Sequence, residues 1–284
     1  MNYQHAFHAG NFADVHKHIV LTLIIEYLRA KPAAFRVIDS HAGAGRYDLS
    51  GPEAARSGEW RDGIGRVRSA EATLRQSDAG ALFKVYLDVV AALNAGGALR
   101  LYPGSPLLAA ARLRPQDRLI ACELEPRAAA SLKAVLRADR GAKVLAMDGW
   151  TAIKANVPPK ERRGLVVIDP PFEVADDFAK LSGAVAEAHR KWPTGIYMLW
   201  YPIKEREAPN ALARRLRRVA VPKILRCEVT LAPPRADAGL LGSGLIIVNP
   251  PYGLERDLKT LLPVFIRVLA PGAAQLLDWL SREG

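Results

Sequence analysis

The stretch GLVVIDPPFEV, residues 164–174, is an apolar run that ends in an acidic residue, two prolines and an aromatic ring. A short run of Val, Ile and Leu without polar alternation is typical of a strand that is buried on both faces of a sheet. Proline cannot donate a hydrogen bond to a neighbouring strand, so the strand must stop where the prolines begin. We therefore predict a buried strand over residues 164–169 that presents Asp169 at its carboxyl end.

Similar apolar runs recur along the chain, and helical patterns separate most of them. The six other predicted strands cover residues 35–39, 118–123, 142–147, 194–200, 223–232 and 244–249. Amphipathic helices are predicted over residues 126–138, 178–192 and 209–220. This alternation is typical of a doubly wound α/β fold with a mostly parallel sheet. Only a loop joins the last two strands, which predicts an antiparallel hairpin and an antiparallel last strand.

One interval is longer than a single crossover helix requires. About 80 residues separate the first two predicted strands, which is too many for a loop in a compact domain. Apolar residues recur at helical spacing within residues 71–97 of this interval. We therefore predict one α/β domain from residues 1–45 and 105–284, with a helical subdomain inserted at residues 46–104.

The 284-residue chain carries 40 Lys and Arg against 29 Asp and Glu, a net charge of +11. Such an excess favours a polyanionic partner, because phosphate neutralisation releases counterions, although a solvated basic surface is the alternative. No apolar stretch reaches the length of a membrane span and the start lacks a signal-peptide pattern, so we expect a soluble, cytoplasmic protein. Cys122 and Cys227 lie in apolar runs and are expected to be buried, reduced thiols.

Basic clusters could supply contacts to a nucleic acid. They are KERR at residues 160–163, RRLRR at residues 214–218 and the arginines of the predicted insertion, Arg46, Arg56, Arg61, Arg66 and Arg68. We expect some of them to contact RNA phosphates. RRLRR could equally be the solvated face of a helix.

Polar residues and glycines follow four of the predicted strands at the point where each strand ends. In chain order they are Asp39 with Gly43 and Gly45, then Glu123, then Asp148 with Gly149, and then Asp169. Ligands of open α/β sheets bind at the edge where the carboxyl ends of parallel strands meet, so we expect these residues to line one site. The glycine spacing departs from G-x-G-x-x-G, which disfavours a dinucleotide. Each residue alone could also be a helix cap or an ordinary turn.

The residues at these strand ends suit a nucleoside ligand. Glu123 can accept both hydroxyls of a ribose, and Asp148, with the Gly149 amide nearby, can accept from an adenine amino group. The ordered set resembles the Rossmann-like class of S-adenosylmethionine-dependent methyltransferases over most of the chain. The resemblance implies a seven-stranded, mostly parallel sheet with an antiparallel last strand, and S-adenosyl-L-methionine as the cofactor.

The motif Asp169-Pro170-Pro171-Phe172 suits the methylation of an exocyclic amine on a base. The Asp169 carboxylate and the Pro170 carbonyl can accept the two N–H groups, which directs the nitrogen lone pair at a methyl donor. Phe172 can stack on the base. A second motif, NPPY at residues 249–252, ends the predicted antiparallel strand and would lie at the opposite edge of the sheet. We therefore assign catalysis to Asp169, Pro170 and Phe172.

The N-terminal stretch HAFHAGNFADVHKH, residues 5–18, narrows the class further. Together with DSHAGAGRY, LYPGSPLL, CELEP, MDGW, IDPPF and MLWYPIK, it resembles the J family of bacterial 23S rRNA (adenine-N6)-methyltransferases over nearly the whole chain. The resemblance implies methylation of N6 of one adenine, position 2030 in that family. It also implies a monomer that prefers 23S rRNA not yet assembled into the ribosome.

The family's motifs also imply roles for individual residues. Cofactor contacts fall on Lys17, His18, His41, Ser105, Glu123, Asp148, Gly149 and Asp169, and a contact to the substrate RNA falls on Tyr3. Phe172 stands where the family more often has Tyr, so a hydroxyl is lost while stacking is retained. His16 has no assigned role.

Four of the six histidines lie at His5, His8, His16 and His18. No cysteine is near them, so we disfavour a zinc site and take surface histidines as the simpler interpretation. We predict no metal.

Three other functions are compatible with parts of the sequence. The motif at Asp169 would also suit guanine-N2 methylation of rRNA. An RNA-binding protein with an inactive methyltransferase fold is disfavoured by the intact set of acids. A protein-glutamine methyltransferase, which also uses an NPPY motif, is disfavoured by the net charge of +11.

Overall fold

A computed structural model of the protein describes residues 4–173, 176–219, 221–231 and 240–282. The strands, in chain order, are β1 (Arg36–Asp39), β2 (Arg46–Asp48), β3 (Leu101–Pro103), β4 (Arg118–Glu123), β5 (Ala142–Ala146), β6 (Gly164–Ile168), β7 (Ile196–Ile203), β8 (Ile224–Thr230), β9 (Gly242–Val248) and β10 (Ala274–Ser281). The α-helices are α1 (Phe12–Arg29), α2 (Pro52–Ser57), α3 (Ile64–Ser69), α4 (Glu71–Gln76), α5 (Gly80–Leu93), α6 (Ser105–Ala110), α7 (Pro126–Val135), α8 (Gly149–Asn156), α9 (Asp177–Lys191), α10 (Glu207–Arg218) and α11 (Leu254–Leu269). Short 3-10 helices cover His5–Phe7 and Glu59–Arg61.

The main sheet has eight strands in the order β10-β8-β9-β7-β6-β1-β4-β5. Strands β7, β6, β1, β4 and β5 are parallel, whereas β9 runs antiparallel to both β7 and β8. The predicted α/β fold and the antiparallel hairpin of the last two predicted strands are confirmed. The prediction of seven strands is wrong by one, because β10 adds an antiparallel edge strand beside β8. Its sequence, AQLLDWLS, has no β-branched residue to signal a strand.

Two large apolar clusters, with a smaller third one around Cys122, cover the two faces of the sheet. Neighbouring residues of β1 divide between the large clusters, since Val37 belongs to the one that includes α1 and α11 while Ile38 belongs to the one that includes α9 and α10. This alternation explains why the strands are continuous apolar runs, because both side-chain directions are buried. Cys122 and Cys227 are buried free thiols, as predicted.

The segment predicted as an insertion is helical from α2 to α5, and the antiparallel pair of β2 and β3 joins its two ends. Phe83 and Tyr86 of α5 are fully buried in the same cluster as Ile19 of α1. The helices of this segment therefore extend the core on the α1 face, and their treatment as a separate subdomain at residues 46–104 stays a prediction. Among the described residues, no helix is both long and apolar enough to cross a membrane.

Candidate functional site

The carboxyl ends of the central parallel strands bring three predicted acids to one edge of the sheet. Asp39 is the last residue of β1, and its neighbours in register are Ala121 of β4 and Val167 of β6. Glu123 lies two residues after Ala121, and Asp169 lies two residues after Val167. The two acids therefore flank Asp39 on either side. Asp148 follows β5 at the same edge and begins α8. The predicted gathering of the strand ends is confirmed.

The glycine turn after β1 is held by Glu123. The Gly43 amide donates to Oε2 of Glu123 at 2.8 Å, and the Glu125 amide donates to Oε1 at 2.8 Å. Gly43 has a φ of +60°, and a Cβ there would lie 2.2 Å from the hydroxyl oxygen of Tyr47. Glycine is therefore required at this position, both for its backbone conformation and for space.

Asp148, a predicted cofactor contact, is the N-terminal cap of α8. Its Oδ2 accepts from both the amide and the hydroxyl of Thr151 at 2.8 Å. A Cβ on Gly149 would lie 2.3 Å from the Ser40 carbonyl and 2.7 Å from the His41 ring. The start of α8 thus packs directly against the turn after β1, which explains the glycine.

His41 is held on the turn by its neighbours. Its Nδ1 lies 2.8 Å from the Ser40 hydroxyl, and its ring meets Trp150 edge-on at 5.2 Å. Burial lowers the pKa of His41 to about 4, so the ring is neutral at physiological pH. A neutral imidazole can donate to a ligand through one nitrogen and accept through the other.

Asp39 is a buried carboxylate with a 1% exposed side chain. Burial raises its pKa to about 7; the Asp169 carboxylate adds to this shift, while Ser105, Lys17 and the His41 backbone oppose it. Neither carboxylate oxygen of Asp39 makes a well-formed hydrogen bond to a described residue. Such a group is costly to bury unless a ligand satisfies it, and a cationic amine has the matching charge.

Lys17 enters the site from α1, which begins after the Asn11 cap. Its Nζ lies 2.5 Å from Oδ2 of Asp169 and 2.8 Å from Oδ1 of Asp14. Burial lowers the pKa of Lys17, but the two carboxylates outweigh it and the net shift is upward. The ammonium therefore stays charged and fixes the Asp169 carboxylate.

Asp14 is a site residue that the sequence interpretation missed. It is 4% exposed and accepts from the Gly10 amide at 3.0 Å and from His5 at 2.9 Å, in addition to its ion pair with Lys17. Burial raises its pKa, but His5, Lys17 and His18 more than reverse this and hold the pKa well below its usual range. The spacing of Asp14 and Lys17, three apart on a helix, was the available signal.

The four N-terminal histidines point to different partners. His5 contacts Asp14 at 2.9 Å and His8 contacts Glu59 at 2.9 Å, whereas His16 and His18 are fully buried. The interpretation of surface histidines is therefore wrong for His16 and His18, because α1 packs on the sheet along most of its length. They do not converge on one point.

His18 carries a second buried polar atom without a partner. Its Nδ1 lies 2.8 Å from the Tyr102 hydroxyl, while Nε2 makes no hydrogen bond to a described residue. Burial lowers the pKa of His18 to about 3, so the ring is neutral. Its free Nε2 suits a hydroxyl or carboxylate group of a ligand.

The motif that we predict to be catalytic begins at Asp169, directly after β6. Phe172 has a φ of 51°, a conformation that is strained for a bulky side chain. Its ring contacts Phe178 at 4.8 Å and Trp200 at 5.8 Å between centroids. The backbone of the motif is thus bent to place Phe172 in an aromatic cluster at the site, and Trp200 is a member that the sequence interpretation missed.

The second motif lies at the opposite edge of the sheet, as predicted. Asn249 follows β9, which is antiparallel to β7. Its amide group donates to the carbonyls of Pro193 and Gly195 at 2.7 Å, and Tyr252 is 94% exposed. Asn249 therefore holds the turn that leads into β7, which is a structural role.

The basic clusters KERR and RRLRR also lie away from the site. KERR precedes β6, and Arg163 donates to the carbonyls of Leu28 and Ala33. Arg217 in RRLRR donates to the Leu280 carbonyl near the amino end of β8. Both clusters therefore lie at the edge opposite Asp169. Arg46, which follows the glycine turn, is exposed at the edge of the site.

Within the insertion, Arg66 pairs with Asp62 and Arg68 pairs with Glu71. Tyr3, predicted to contact RNA, lies outside the described residues.

The fold, with acidic residues at the carboxyl ends of its parallel strands, is that of a Rossmann-like methyltransferase. A family model described as ribosomal RNA large subunit methyltransferase D, RlmJ, matches residues 32–281. The chain belongs to this RlmJ family.

Two relatives are both described as ribosomal RNA large subunit methyltransferase J. The Haemophilus influenzae protein is 39% identical over 286 residues, and the Escherichia coli protein is 41% identical over 285 residues. Each alignment covers 100% of both chains. A crystal structure of a Legionella pneumophila protein superposes with a TM-score of 0.88 at 34% identity, covering 96% of this chain and 98% of that one.

Proposed function

We propose that this protein transfers a methyl group from S-adenosyl-L-methionine to N6 of an adenine in 23S rRNA. The observation that carries the proposal is the position of Asp169-Pro170-Pro171-Phe172. This motif follows a parallel strand directly beside β1, so the amine-binding groups adjoin the acids that suit the cofactor. Membership of the RlmJ family supports ribosomal RNA of the large subunit as the substrate.

The acids and polar groups at the strand ends fit S-adenosyl-L-methionine. Glu123 would accept the ribose hydroxyls, while Asp148 and the Gly149 amide would contact the adenine ring. Asp39, which is buried and unsatisfied, would pair with the ammonium of the methionine part, near Ser105. His18 and His41 would add neutral ring nitrogens. When bound, the cofactor supplies an electrophilic methyl group on a sulfonium.

Asp169 and Pro170 would hold the acceptor amine by its two N–H groups. Because Lys17 lies 2.5 Å from Oδ2 of Asp169, the ion pair fixes the orientation of the carboxylate. An ion-paired carboxylate is a good hydrogen-bond acceptor but a weak base, so positioning of the amine is its main role. The proton can leave after methyl transfer, when the nitrogen has become cationic.

The same contact changes the role we propose for Lys17. The resemblance implies a contact to the cofactor, whereas the ammonium is already bound by the carboxylates of Asp14 and Asp169. We propose that Lys17 acts mainly through Asp169, and that Phe172 stacks on the target adenine.

The position of the site also predicts which cations contact RNA. Arg46 follows the glycine turn and Lys204 follows β7. Both side chains are exposed at the edge of the site. Arg162 and Arg218 are equally exposed but lie at the opposite edge. We therefore propose that RNA phosphates contact the first pair and not the second.

A matched pair of double variants tests this orientation, since both remove two positive charges. Arg46→Ala with Lys204→Ala should raise the KM for RNA and reduce the salt slope of binding by about 2. Arg162→Ala with Arg218→Ala should change neither. Equal losses in both variants would show that only net charge matters.

The function itself is tested by tritium transfer from labelled S-adenosylmethionine to protein-free 23S rRNA that lacks its natural methylations. Nucleoside analysis should place the label in N6-methyladenosine. Label in N2-methylguanosine would overturn the base assignment, and the absence of label with cofactor bound would overturn the choice of acceptor. We further propose a cytoplasmic monomer that prefers free 23S rRNA to assembled subunits, which the same assay compares directly.

A further inference from the structure

Trp200 stands out within β7. Its strand has eight residues, and Trp200 is the one that is not buried. Asp169 and Trp200 are the next residues after the paired Ile168 and Leu199, so they are neighbours across the sheet edge. The Lys17 ammonium lies 5.7 Å from the Trp200 ring centroid, within the range of a cation–π contact. The indole therefore borders the site between Lys17 and the ring of Phe172.

A hydrogen-bonded chain of buried groups holds the indole. Trp200 Nε1 donates to the Ser243 hydroxyl at 3.0 Å, and that hydroxyl lies 3.0 Å from Nδ1 of His16. His16 Nε2 lies 3.3 Å from the sulfur of Cys227. The indole N–H can only donate, so Ser243 accepts from Trp200, while the tautomer of His16 sets the direction of the two remaining hydrogen bonds.

This hydrogen-bonded network stabilises the core less than apolar side chains of the same volume would. Ser243, His16 and Cys227 are each 0% exposed and come from β9, α1 and β8. Buried polar groups must satisfy one another, and apolar residues would pack the same space without that demand. These hydrogen bonds fix the plane of the indole that borders the predicted catalytic motif, which apolar packing alone would not do.

We propose that the Trp200 ring forms a second wall of the acceptor-base pocket, beside Phe172, and that Ser243 and His16 are positioning residues that fix its plane. The inference rests on the proposed transfer to a base. The two rings meet at 70°, so they form a corner that a stacked base would fill. Trp200 then selects for a planar base and Ser243 acts only through the indole N–H.

The test is a double-mutant cycle with Trp200→Phe and Ser243→Ala, assayed by methyl transfer to unmodified 23S rRNA. Each single variant should lower kcat/KM for RNA, by about ten-fold or more for Trp200→Phe. The Kd for S-adenosylmethionine should stay within about two-fold of wild type, since no cofactor group is removed. Ser243→Ala should add no further loss in the Trp200→Phe background.

Two control variants make the same chemical changes at positions away from the site. Trp192→Phe removes an indole from a buried tryptophan, and Ser182→Ala removes a buried hydroxyl that donates to the Ala179 carbonyl. Both should retain wild-type kcat/KM.

A full additional loss from Ser243→Ala in the Trp200→Phe background would overturn the positioning role, as would wild-type activity of Trp200→Phe. A parallel loss of cofactor affinity would place Trp200 in cofactor binding instead. Failure of the proposed function is seen separately, because wild-type protein would then not label N6-methyladenosine.

Discussion

Two substitutions at the two proline motifs should give opposite phenotypes. Asp169→Asn changes the motif at the site edge, and Asn249→Ala changes the motif at the opposite edge. Each replaces one polar side chain next to two prolines, so each is the control for the other. Methyl transfer should be lost in the first variant, whereas stability should be lost in the second.

The loss of stability in Asn249→Ala follows from its contacts. The Asn249 side chain donates two hydrogen bonds of 2.7 Å, to the carbonyls of Pro193 and Gly195. Each is worth roughly 0.5–1.5 kcal/mol, and Ala in the left-handed conformation at φ 51° costs about 1 kcal/mol more than Asn. The free energy of unfolding should therefore fall by about 2–4 kcal/mol, which lowers Tm by roughly 3–7 °C for a chain of this size. The value of kcat should not change.

The effect of Asp169→Asn should lie in the chemical step. Lys17 keeps its ion pair with Asp14 at 2.8 Å, so the variant leaves no buried charge without a partner and should fold. The neutral amide is a weaker acceptor and can turn its N–H toward the amine. Loss of one positioned group of this kind costs roughly 100- to 1,000-fold in kcat.

Both variants are measured by single-turnover methyl transfer, calorimetric Tm and cofactor affinity. RNA binding by Asp169→Asn should be retained, which separates the chemical step from substrate capture. The assignment of the two motifs is falsified if Asn249→Ala loses transfer at normal Tm while Asp169→Asn stays active.

Three further substitutions test individual contacts. Phe172→Leu should lower kcat/KM for RNA by about ten-fold through lost stacking, measured at saturating cofactor; an unchanged rate would mean that the base is held elsewhere. Gly149→Ala should weaken cofactor binding and lower Tm, because its Cβ would lie 2.3 Å from the Ser40 carbonyl; a wild-type Tm would contradict the tight packing. Asp39 has a pKa raised to about 7 by burial, so its folded state binds a proton more tightly than the unfolded chain does. Stability of the ligand-free protein should therefore fall as pH rises from 4 to 7, by up to ~4 kcal/mol, and Asp39→Asn should remove this trend in calorimetric scans. An identical pH trend in the variant would mean that other groups cause it.

The elements of the fold that could be predicted from the sequence were those with a strong local pattern. Apolar runs predicted β1, β4, β6, β7 and β9, whose buried positions are mostly apolar on both faces. They also predicted β5, which is partly exposed, and β8, which buries the charged residues Arg226 and Glu228. The edge strand β10 was missed because its Leu-rich sequence and partial exposure leave no such pattern. The pair β2 and β3 was missed because three-residue strands are too short to show a period.

The candidate site divided in a similar way. Residues next to strand ends, such as Asp39, Glu123 and Asp169, could be placed at one edge from topology alone. The ion pair of Asp169 with Lys17 could not, because it joins residues 152 positions apart through the packing of α1 on the sheet. The contacts of Trp200 were hidden for the same reason, since its strand looks apolar throughout.

The placement of α1 links these separate observations. The helix runs across one face of the sheet and carries Asp14, His16, Lys17 and His18 on its buried turns. Asp14 gives Lys17 a second carboxylate partner, so that the buried ammonium is held by hydrogen-bonded anions on two sides while it contacts Asp169. His16 directly precedes Lys17 in the same helix. It contacts Ser243, which accepts the hydrogen bond from Trp200. A single buried helix therefore sets both the carboxylate and one aromatic wall of the site, and a shift of α1 would move the two together. This coupling explains why the N-terminal segment is polar at positions where the packing alone would favour apolar residues.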